Sequence, residues 1–381
     1  MEQPVNAASG NARKAHAAAR VALFIPSFAG GGAERVFLRL AGLLIREGLA
    51  VDILVCRDDG EYRNIIPEGV RVINLGGGKP SRSVTALVRY LKQEQPRAIL
   101  STLTHANLAA LAAVALSRER VRCVVRDAAS PLDDLIHDTP TDRFLKKLLV
   151  PRLYRRAHAV LAPSIGVAEG IRQTYRLPEN RIRVIYNPVD AAEIRHKCRE
   201  KPQQADLLDP ALPTLVAVGR LCYQKGYDLL LEACGRLKAE GRRFRLLILG
   251  EGELRAPLEA RRTELGLEDE VLMPGFMDNP HAYIARSAGY ISASRWEGLS
   301  NVLIEALCCG VPVAVSDCRY GQREILEEGA QGLLFNTGDV TSLSVAMSAL
   351  LDGRVDPPDE QSLGRFAPAT ICRQYRQLLV E

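Results

Sequence analysis

Residues 294–316, SRWEGLSNVLIEALCCGVPVAVS, are the stretch from which the fold of the chain can be predicted. Glu297 stands in its polar beginning, and Glu305 follows in an apolar run. A helix that begins near Leu299 or Ser300 would carry Glu305 about one and a half turns from its start. The glycine after the two cysteines predicts the end of that helix, and the valines behind it predict a buried strand.

The loop that enters this helix is a candidate anion site. The first backbone N–H groups of a helix have no partner within it, and they can therefore bind a negatively charged group. One carboxylate in the loop and one on the helix would then flank the anion. That arrangement suits a ligand with a phosphate between two polar ends, bound around Gly298, Leu299, Ser300 and Asn301.

Two further glycine-containing segments come earlier in the chain, FAGGGAERV at residues 28–36 and VGRLCYQKG at residues 218–226. Together with the first segment, and in this order, they resemble the retaining, nucleotide-sugar-dependent glycosyltransferases of family 4, of the bacterial cell-surface glycan type. The resemblance extends from about Val21 to about Val380. It implies the GT-B fold, in which two Rossmann-like, doubly wound α/β domains face an interdomain cleft.

The chain of 381 residues is too long for one ordinary hydrophobic core and suits two domains. Its net charge of +5 is modest and no nucleic-acid motif is present, so we expect no nucleic-acid partner. Nine cysteines without metal-ligand spacing favour reduced thiols in a cytoplasmic protein. No stretch has the ~20 apolar residues that span a bilayer. Any membrane contact is therefore expected to be peripheral, at the cytoplasmic face of the inner membrane.

Strand and helix patterns alternate along the chain, which favours doubly wound, mostly parallel sheets. Residues 1–20 lack the apolar core of a secretory signal, and we expect a disordered tail there. We predict an N-terminal acceptor domain over residues 21–190 and a C-terminal donor domain over residues 191–365, with a surface connection at 195–213. The resemblance implies that a last helix, residues 366–381, crosses back to the first domain.

The predicted strands give both halves the same layout. They cover residues 21–25, 51–56, 70–74, 98–101, 122–125, 159–162 and 183–185, and then 215–219, 244–249, 271–273, 288–292, 311–315 and 332–335. In such sheets a ligand binds outside the carboxyl ends of the strands. Polar side chains and glycines that follow strands are therefore the candidate site residues.

The first predicted strand leads into Gly30-Gly31-Gly32 and then into a helical pattern. Strand, glycine-rich turn and helix form the layout that lets backbone N–H groups approach a phosphate. Arg35 replaces the third glycine of the dinucleotide-binding fingerprint, so this segment does not predict a nicotinamide enzyme. A tight turn without a ligand is the alternative. The resemblance implies that Gly31 and Gly32 lie near the donor phosphates and the acceptor.

Arg220 and Lys225 follow a predicted buried strand, with Gly219 and Gly226 beside them. Breaking the bond between a sugar and a diphosphate needs fixed cations where negative charge grows. A guanidinium and an ammonium group can supply them. Either residue alone would favour a solvated surface charge. The resemblance implies that Arg220 and Lys225 bind the diphosphate and that Gly219 lies in the donor site.

The resemblance also implies that Glu305 binds the ribose hydroxyls and that Glu297 lies near the donor sugar. An ionised carboxylate only accepts hydrogen bonds and can take two adjacent hydroxyls, which suits the ribose assignment. Phe276 follows a predicted strand. It can line the pocket for the nucleotide base, or it can belong to the hydrophobic core.

A retaining double displacement would require a carboxylate nucleophile, for which Glu297 is the nominal candidate. The resemblance instead implies a front-face reaction in which the leaving phosphate helps to deprotonate the acceptor. His105 is then a candidate contact for the donor sugar or the acceptor, or else a structural residue. Asn107 and Asp127 are candidate acceptor contacts. No metal-binding pattern is present, and we expect no metal and no cofactor.

Basic and apolar residues are interleaved between residues 141 and 157, where a helix is predicted and Pro151 interrupts the pattern. Such a helix can lie on an anionic membrane, or it can be an ordinary helix with a solvated basic face. Membrane docking would suit an acceptor that is carried on a lipid.

Together with the resemblance to family 4, these patterns imply a glycosyltransferase of the hexosyltransferase type, EC 2.4. It would move a sugar from a nucleotide-diphosphate donor, expected to be a UDP-sugar, to a saccharide or polyprenyl-linked glycan in cell-surface polysaccharide biosynthesis. Two alternatives stay open. A nucleotide-sugar epimerase or hydrolase on the same fold would consume the donor without an acceptor, and a non-catalytic protein would bind the nucleotide sugar without turnover.

Overall fold

The computed structural model describes residues 18–29, 31–131 and 140–381, without the side chains of residues 140–145. Nearly all of the predicted N-terminal tail, and Gly30 of the glycine-rich turn, lie outside the described residues. The described chain contains two parallel β-sheets with helices packed on their faces. The predicted fold class, two Rossmann-like α/β domains, is confirmed.

The first sheet has seven strands, and its order is β3-β2-β1-β4-β5-β6-β7. Every neighbouring pair in it is parallel. The order reverses direction between β1 and β4, which is where a doubly wound sheet leaves a crevice for a ligand. The strands are β1 (Arg20–Ile25), β2 (Ala50–Val55), β3 (Arg71–Asn74), β4 (Ala98–Thr102), β5 (Arg122–Arg126), β6 (Ala159–Ala162) and β7 (Ile182–Val184).

Helices connect these strands as the alternating sequence pattern predicts. They are α1 (Gly32–Arg46), α2 (Val84–Glu94), α3 (Thr104–Ser117), α4 (Pro140–Tyr154) and α5 (Ile165–Tyr175). The central strands are buried on both faces, and their continuous apolar runs supply side chains to a core on each side of the sheet. Helix α4 continues through Pro151, so the proline that interrupts the sequence pattern does not end the helix.

The second sheet has six parallel strands in the order β10-β9-β8-β11-β12-β13. The strands are β8 (Thr214–Val218), β9 (Arg245–Leu249), β10 (Val271–Gly275), β11 (Gly289–Ser292), β12 (Val313–Ser316) and β13 (Leu333–Phe335). The reversal falls between β8 and β11. The carboxyl end of β8 leads to Arg220 and Lys225, and that of β11 leads to Glu297.

The remaining helices are α6 (Ala191–Arg199), α7 (Tyr227–Ala239), α8 (Arg255–Glu264), α9 (His281–Ile284), α10 (Asn301–Cys308), α11 (Gln322–Ile325), α12 (Val340–Leu351) and α13 (Pro368–Val380). The last of these packs on the first sheet. Its buried residues Ile371, Tyr375 and Leu379 belong to the same core as β1 and α1.

The predicted connection between the halves begins within a helix. The first residues of the stretch 195–213 belong to α6, Ala191–Arg199. Asp190 starts this helix because its side chain accepts hydrogen bonds from the backbone of Ala192 and Glu193. Ile194 is the residue of α6 that is buried, so the charged sequence around it belongs to the exposed face of the helix.

The cysteines and the helices bear on the environment of the protein. All nine cysteines lie in the described part of the chain and are free thiols. Among the residues that the structure describes, we find no helix of the length and apolarity needed to cross a bilayer.

Candidate active site

The two domains touch where the loop after β11 meets the first sheet. Ser164, at the carboxyl end of β6, donates a hydrogen bond from its Oγ to the carbonyl oxygen of Gly298 at 2.8 Å. A Cβ atom at Gly298 would lie 2.2 Å from the carbonyl oxygen of Ala128, so only glycine permits this approach. Both faces of the contact are carboxyl ends of strands, which places the candidate site in an interdomain cleft.

Lys225 and Glu297 form an ion pair at the centre of the site. The Lys225 Nζ atom lies 2.6 Å from the Glu297 Oε1 atom, and the two side chains are 20% and 8% exposed. Ser294 donates a second hydrogen bond to the same oxygen at 2.8 Å. The turn that carries Lys225 needs Gly226, which has a φ of 66° and whose Cβ would lie 2.2 Å from the Ala293 carbonyl oxygen.

Arg220 follows β8 by two residues and is exposed to solvent. Gly219 precedes it, and a Cβ there would lie 3.2 Å from the Lys225 Cε atom and 3.0 Å from the Tyr227 hydroxyl. The missing side chain at Gly219 therefore keeps the space next to Lys225 open. Two cations therefore follow the end of β8: Arg220, which is exposed, and Lys225, which is held by Glu297.

Helix α10 begins at Asn301, one or two residues later than the sequence predicts. Ser300 is its N-cap, and the hydroxyl group accepts a hydrogen bond from the Leu303 backbone N–H at 3.4 Å. Leu299 and Ser300 are buried, and the Asn301 side chain accepts a hydrogen bond from Asn187, in the segment that joins the domains, at 2.7 Å. The start of α10 thus faces the cleft, with its first backbone N–H groups available for an anion.

Glu305 is almost fully buried and has a partner on each oxygen. The His281 Nε2 atom lies 3.1 Å from its Oε2 atom, and Arg39 donates a hydrogen bond to its Oε1 atom at 3.3 Å. Burial raises the pKa of Glu305. The hydrogen bond with His281 and the charges of Arg39 and Arg35 lower it by more than burial raises it, from 4.5 to about 2. This carboxylate is therefore ionised at neutral pH.

Sequence reasoning missed His281 and Arg39. The usable signal was Glu305 itself, because a carboxylate in an apolar helix must be paired when it is buried. The identity of the partners could not be predicted, since Arg39 comes from the other domain. Ser294 was also missed, although it stands in the same segment as Glu297.

The candidates in the first domain differ in accessibility. His105 is exposed in the first turn of α3. Asn107 is fully buried, and its Nδ2 atom lies within hydrogen-bond distance of the Arg126 carbonyl oxygen, Asp127 and the Tyr154 hydroxyl group. Asn107 therefore lies behind Asp127 in this structure, which places it as a support rather than at the cleft surface. Acceptor contacts by these residues stay predictions.

Asp127 is buried at the carboxyl end of β5 and accepts a hydrogen bond from the Tyr154 hydroxyl group at 2.8 Å. Burial, together with the charge of Asp127, raises the pKa of Tyr154 well above its ordinary value. Tyr154 therefore keeps its hydroxyl proton at neutral pH and continues to donate it to Asp127.

The glycine-rich turn leads into α1, and Phe276 directly follows β10. Gly31 is the N-cap of α1, and a Cβ there would lie 2.2 Å from the Glu34 Oε2 atom. A Cβ at Gly32 would meet no atom within 4 Å. Phe276 is 71% exposed, which excludes the alternative that it belongs to the core.

Two family models match the chain, one in each domain. The model described as Glycosyltransferase Family 4 matches residues 30–193, and the model described as Glycosyl transferases group 1 matches residues 199–369. The boundary between the matches falls in α6, close to where the first sheet gives way to the second.

Curated relatives are glycosyltransferases as well. One is the N-acetylgalactosamine-N,N'-diacetylbacillosaminyl-diphospho-undecaprenol 4-alpha-N-acetylgalactosaminyltransferase of Campylobacter jejuni, 30% identical over 344 residues, which are 87% of this chain and 90% of the relative. Another is the lipopolysaccharide core biosynthesis glycosyltransferase LpsE of Rhizobium meliloti, 29% identical over 59% of this chain and 65% of the relative.

Solved structures share the arrangement of both domains. Anabaena HepE in complex with UDP and glucose is 20% identical and has a TM-score of 0.77, with 95% of this chain and 99% of that chain covered. This likeness confirms the predicted GT-B fold. With the match to the Campylobacter relative over nearly its whole length, it follows that the chain belongs to the glycosyltransferases of family 4.

Proposed function

We propose that this glycosyltransferase takes its sugar from a uridine diphosphate sugar, retains the configuration at the transferred carbon, and extends a lipid-linked saccharide. The observation that carries the proposal is the ion pair between Lys225, which follows β8, and Glu297, which follows β11, with the two charged atoms 2.6 Å apart. The printed descriptions of similar proteins agree with it: HepE was solved with UDP and glucose, and the Campylobacter relative acts on a diphospho-undecaprenol-linked substrate.

The cations supply what the departure of a diphosphate requires. Negative charge grows on the leaving group as its bond to the sugar breaks, and groups fixed in advance stabilise that charge without reorganisation. Lys225 is held by Glu297 and can donate its other two N–H bonds to the diphosphate. Arg220 can turn its planar fork onto the same group, and the start of α10 adds backbone N–H groups.

We favour a front-face reaction over a double displacement. The Oε1 atom of Glu297 accepts hydrogen bonds from Lys225 and Ser294, and these bonds draw negative charge away from the carboxylate that would have to attack the sugar. These bonds lower its nucleophilicity and leave the Oε2 atom to accept a sugar hydroxyl. In this proposal the leaving diphosphate itself takes the proton of the acceptor, and neither a metal nor a cofactor takes part.

Helix α4 offers a surface for the lipid that carries the acceptor. Leu148 and Leu149 are 40% and 43% exposed, and Lys147, Arg152 and Arg155 are exposed on the same helix or just after it. Exposed leucines among cations fit the headgroup region of an anionic membrane. We place this contact at the cytoplasmic face of the inner membrane, where the free thiols of the protein would stay reduced.

The donor is tested by measuring release of nucleoside diphosphate from a panel of nucleotide sugars with a lipid-linked acceptor. We expect turnover with a UDP-sugar, unchanged by a chelator, and a loss of about 10²–10³ in kcat for Lys225→Ala. Glu305→Ala should lose donor binding. Lys238→Ala is the matched control, because Lys238 bonds Gly266 and Glu270 instead.

The outcomes separate the alternatives. Full turnover in both Lys225→Ala and Glu305→Ala would contradict the site, and donor consumption without an acceptor would favour an epimerase or hydrolase. The anomeric proton coupling of the product in an NMR spectrum decides between retention and inversion. For the membrane contact, sedimentation with vesicles containing anionic lipid should depend on Arg152 and Arg155, whereas equal sedimentation of a charge-reversed variant would indicate a solvated basic face.

A further inference from the structure

The two oxygens of Glu305 are bound from opposite sides of the cleft. His281, which holds the Oε2 atom at 3.1 Å, belongs to the same domain and is 3% exposed in its side chain. Arg39, which holds the Oε1 atom at 3.3 Å, belongs to α1 of the other domain and is 24% exposed. The Oε2 atom, the inner oxygen, is therefore held within its own domain. The Oε1 atom, the outer oxygen, is held by Arg39, which is the more exposed of the two partners.

Arg39 is part of a cationic face of α1 that meets acidic residues of the second domain. Arg35 lies one helical turn before it, and the charges of both arginines act on Glu305. They also act on Glu193 of α6, whose pKa is lowered first by its hydrogen bond from Lys197 and then further by Lys197, Arg39 and Arg35. The charge of Arg39 thus acts on a second carboxylate besides the one that it binds.

We propose that Arg39 is the counter-ion of Glu305 in the nucleotide-free enzyme and that the ribose hydroxyls of the donor displace it. The inference rests on the proposed function, in which Glu305 binds the ribose. A buried carboxylate is costly without hydrogen-bond donors. The donors on its outer oxygen are therefore exchanged rather than lost: the hydroxyls arrive as the guanidinium leaves, and the Arg39 side chain, already 24% exposed, can turn toward solvent.

This exchange reduces the affinity for the nucleotide, because an ion pair must be broken when the ribose binds. Removing the guanidinium group leaves the outer oxygen of Glu305 without its donor in the free protein only. The free protein then becomes less stable relative to the complex, so the nucleotide binds more tightly. A residue that contacted the donor directly would give the opposite sign when removed.

The experiment is calorimetric titration of the full chain with UDP. We expect Arg39→Met to bind UDP about fivefold more tightly than the wild type, the value of a partly exposed ion pair. Arg39→Lys, which keeps the ion pair, should bind with nearly the affinity of the wild type. Arg46→Met, the same substitution at the far end of α1, is the control and should leave the affinity unchanged.

A second ligand identifies the group that displaces Arg39. The gain in affinity of Arg39→Met should vanish with 2′,3′-dideoxyuridine diphosphate, because a sugar without hydroxyls does not need the outer oxygen. Equal or weaker binding of UDP by Arg39→Met, or an equal gain with the dideoxy ligand, would overturn the inference and leave the proposed function intact. Failure of the wild type to bind any nucleoside diphosphate would overturn both.

Discussion

At the scale of single residues, Phe276 is the most exposed aromatic side chain among the candidate site residues. It follows β10 and is 71% exposed, so it contributes little to the core. We expect Phe276→Ala to weaken UDP binding about tenfold, the value of one base stacked on an aromatic ring. The thermal midpoint should not change. Titration and a melting curve check both, with Val345→Ala, another exposed apolar truncation, as the control. Unaltered UDP affinity would place the base elsewhere.

Glu305 makes stability depend on pH in a defined window. Its pKa is lowered from 4.5 to about 2 in the folded protein, despite the opposing effect of burial. Its contribution is therefore fully present above pH 4.5 and lost as the pH falls toward 2. We expect the free energy of unfolding of the wild type to fall more than that of Glu305→Gln over this range, by on the order of 3 kcal/mol.

Urea denaturation at several pH values between neutral and acid measures this difference. The comparison with Glu305→Gln removes the contributions of the other carboxylates, which titrate in both proteins. Parallel curves for the two proteins would contradict the lowered pKa and the ion pair from which it arises.

Some candidate site residues could be predicted from the sequence because they directly follow predicted strands. Gly219, Lys225 and Glu297 meet in the structure, because strand ends of one sheet bring together residues that follow strands. His281 and Arg39 were not predictable, since the packing of helices decides which donors reach a buried carboxylate.

At the scale of elements, α6 is the helix that the sequence pattern concealed. Its one buried residue, Ile194, gives almost no apolar periodicity, and the signal lay instead in Asp190 as an N-cap. We expect Asp190→Ala to lower the free energy of unfolding by about 1 kcal/mol, because two backbone N–H groups lose their acceptor. Chemical denaturation measures it. Asp269→Ala, in an exposed turn, is the control, and equal midpoints would contradict the capping role.

Most other elements were predictable, and the reason is physical. Strands such as β6, predicted and found at Ala159–Ala162, are buried on both faces and therefore show as continuous apolar runs. Boundaries shifted by a residue or two where hydrogen bonds rather than hydrophobicity end the element. The start of α10 is one such case, since the Ser300 side chain and not an apolar residue fixes it.

At the scale of the whole molecule, Gly298 sets how closely the domains approach. A Cβ there would lie 2.2 Å from the Ala128 carbonyl oxygen, so Gly298→Ala must push the two strand ends apart. We expect kcat/KM to fall about 10²-fold, the cost of misplacing reacting groups by about 1 Å. Stability should change little, because Gly298 belongs to none of the hydrophobic cores. Steady-state kinetics measure the effect.

The control for that substitution is Gly364→Ala, where a Cβ meets no atom within 4 Å. Normal kcat/KM in Gly298→Ala would show that catalysis does not depend on the close approach of the two domains at Gly298. No sequence pattern predicts this contact, because it joins residues of two domains that form separate sheets.

The position of α13 in the chain has a consequence for the order in which the two domains can fold during protein synthesis. Ile371, Tyr375 and Leu379 of this helix complete the core that β1 and α1 begin, so that core stays open until these residues have left the ribosome. The second sheet has emerged in full by then. The half that is translated later can thus mature earlier, which reverses the usual N-terminal-first sequence. A released chain that is truncated before Pro368 should therefore expose its first half to proteases while its second half resists them.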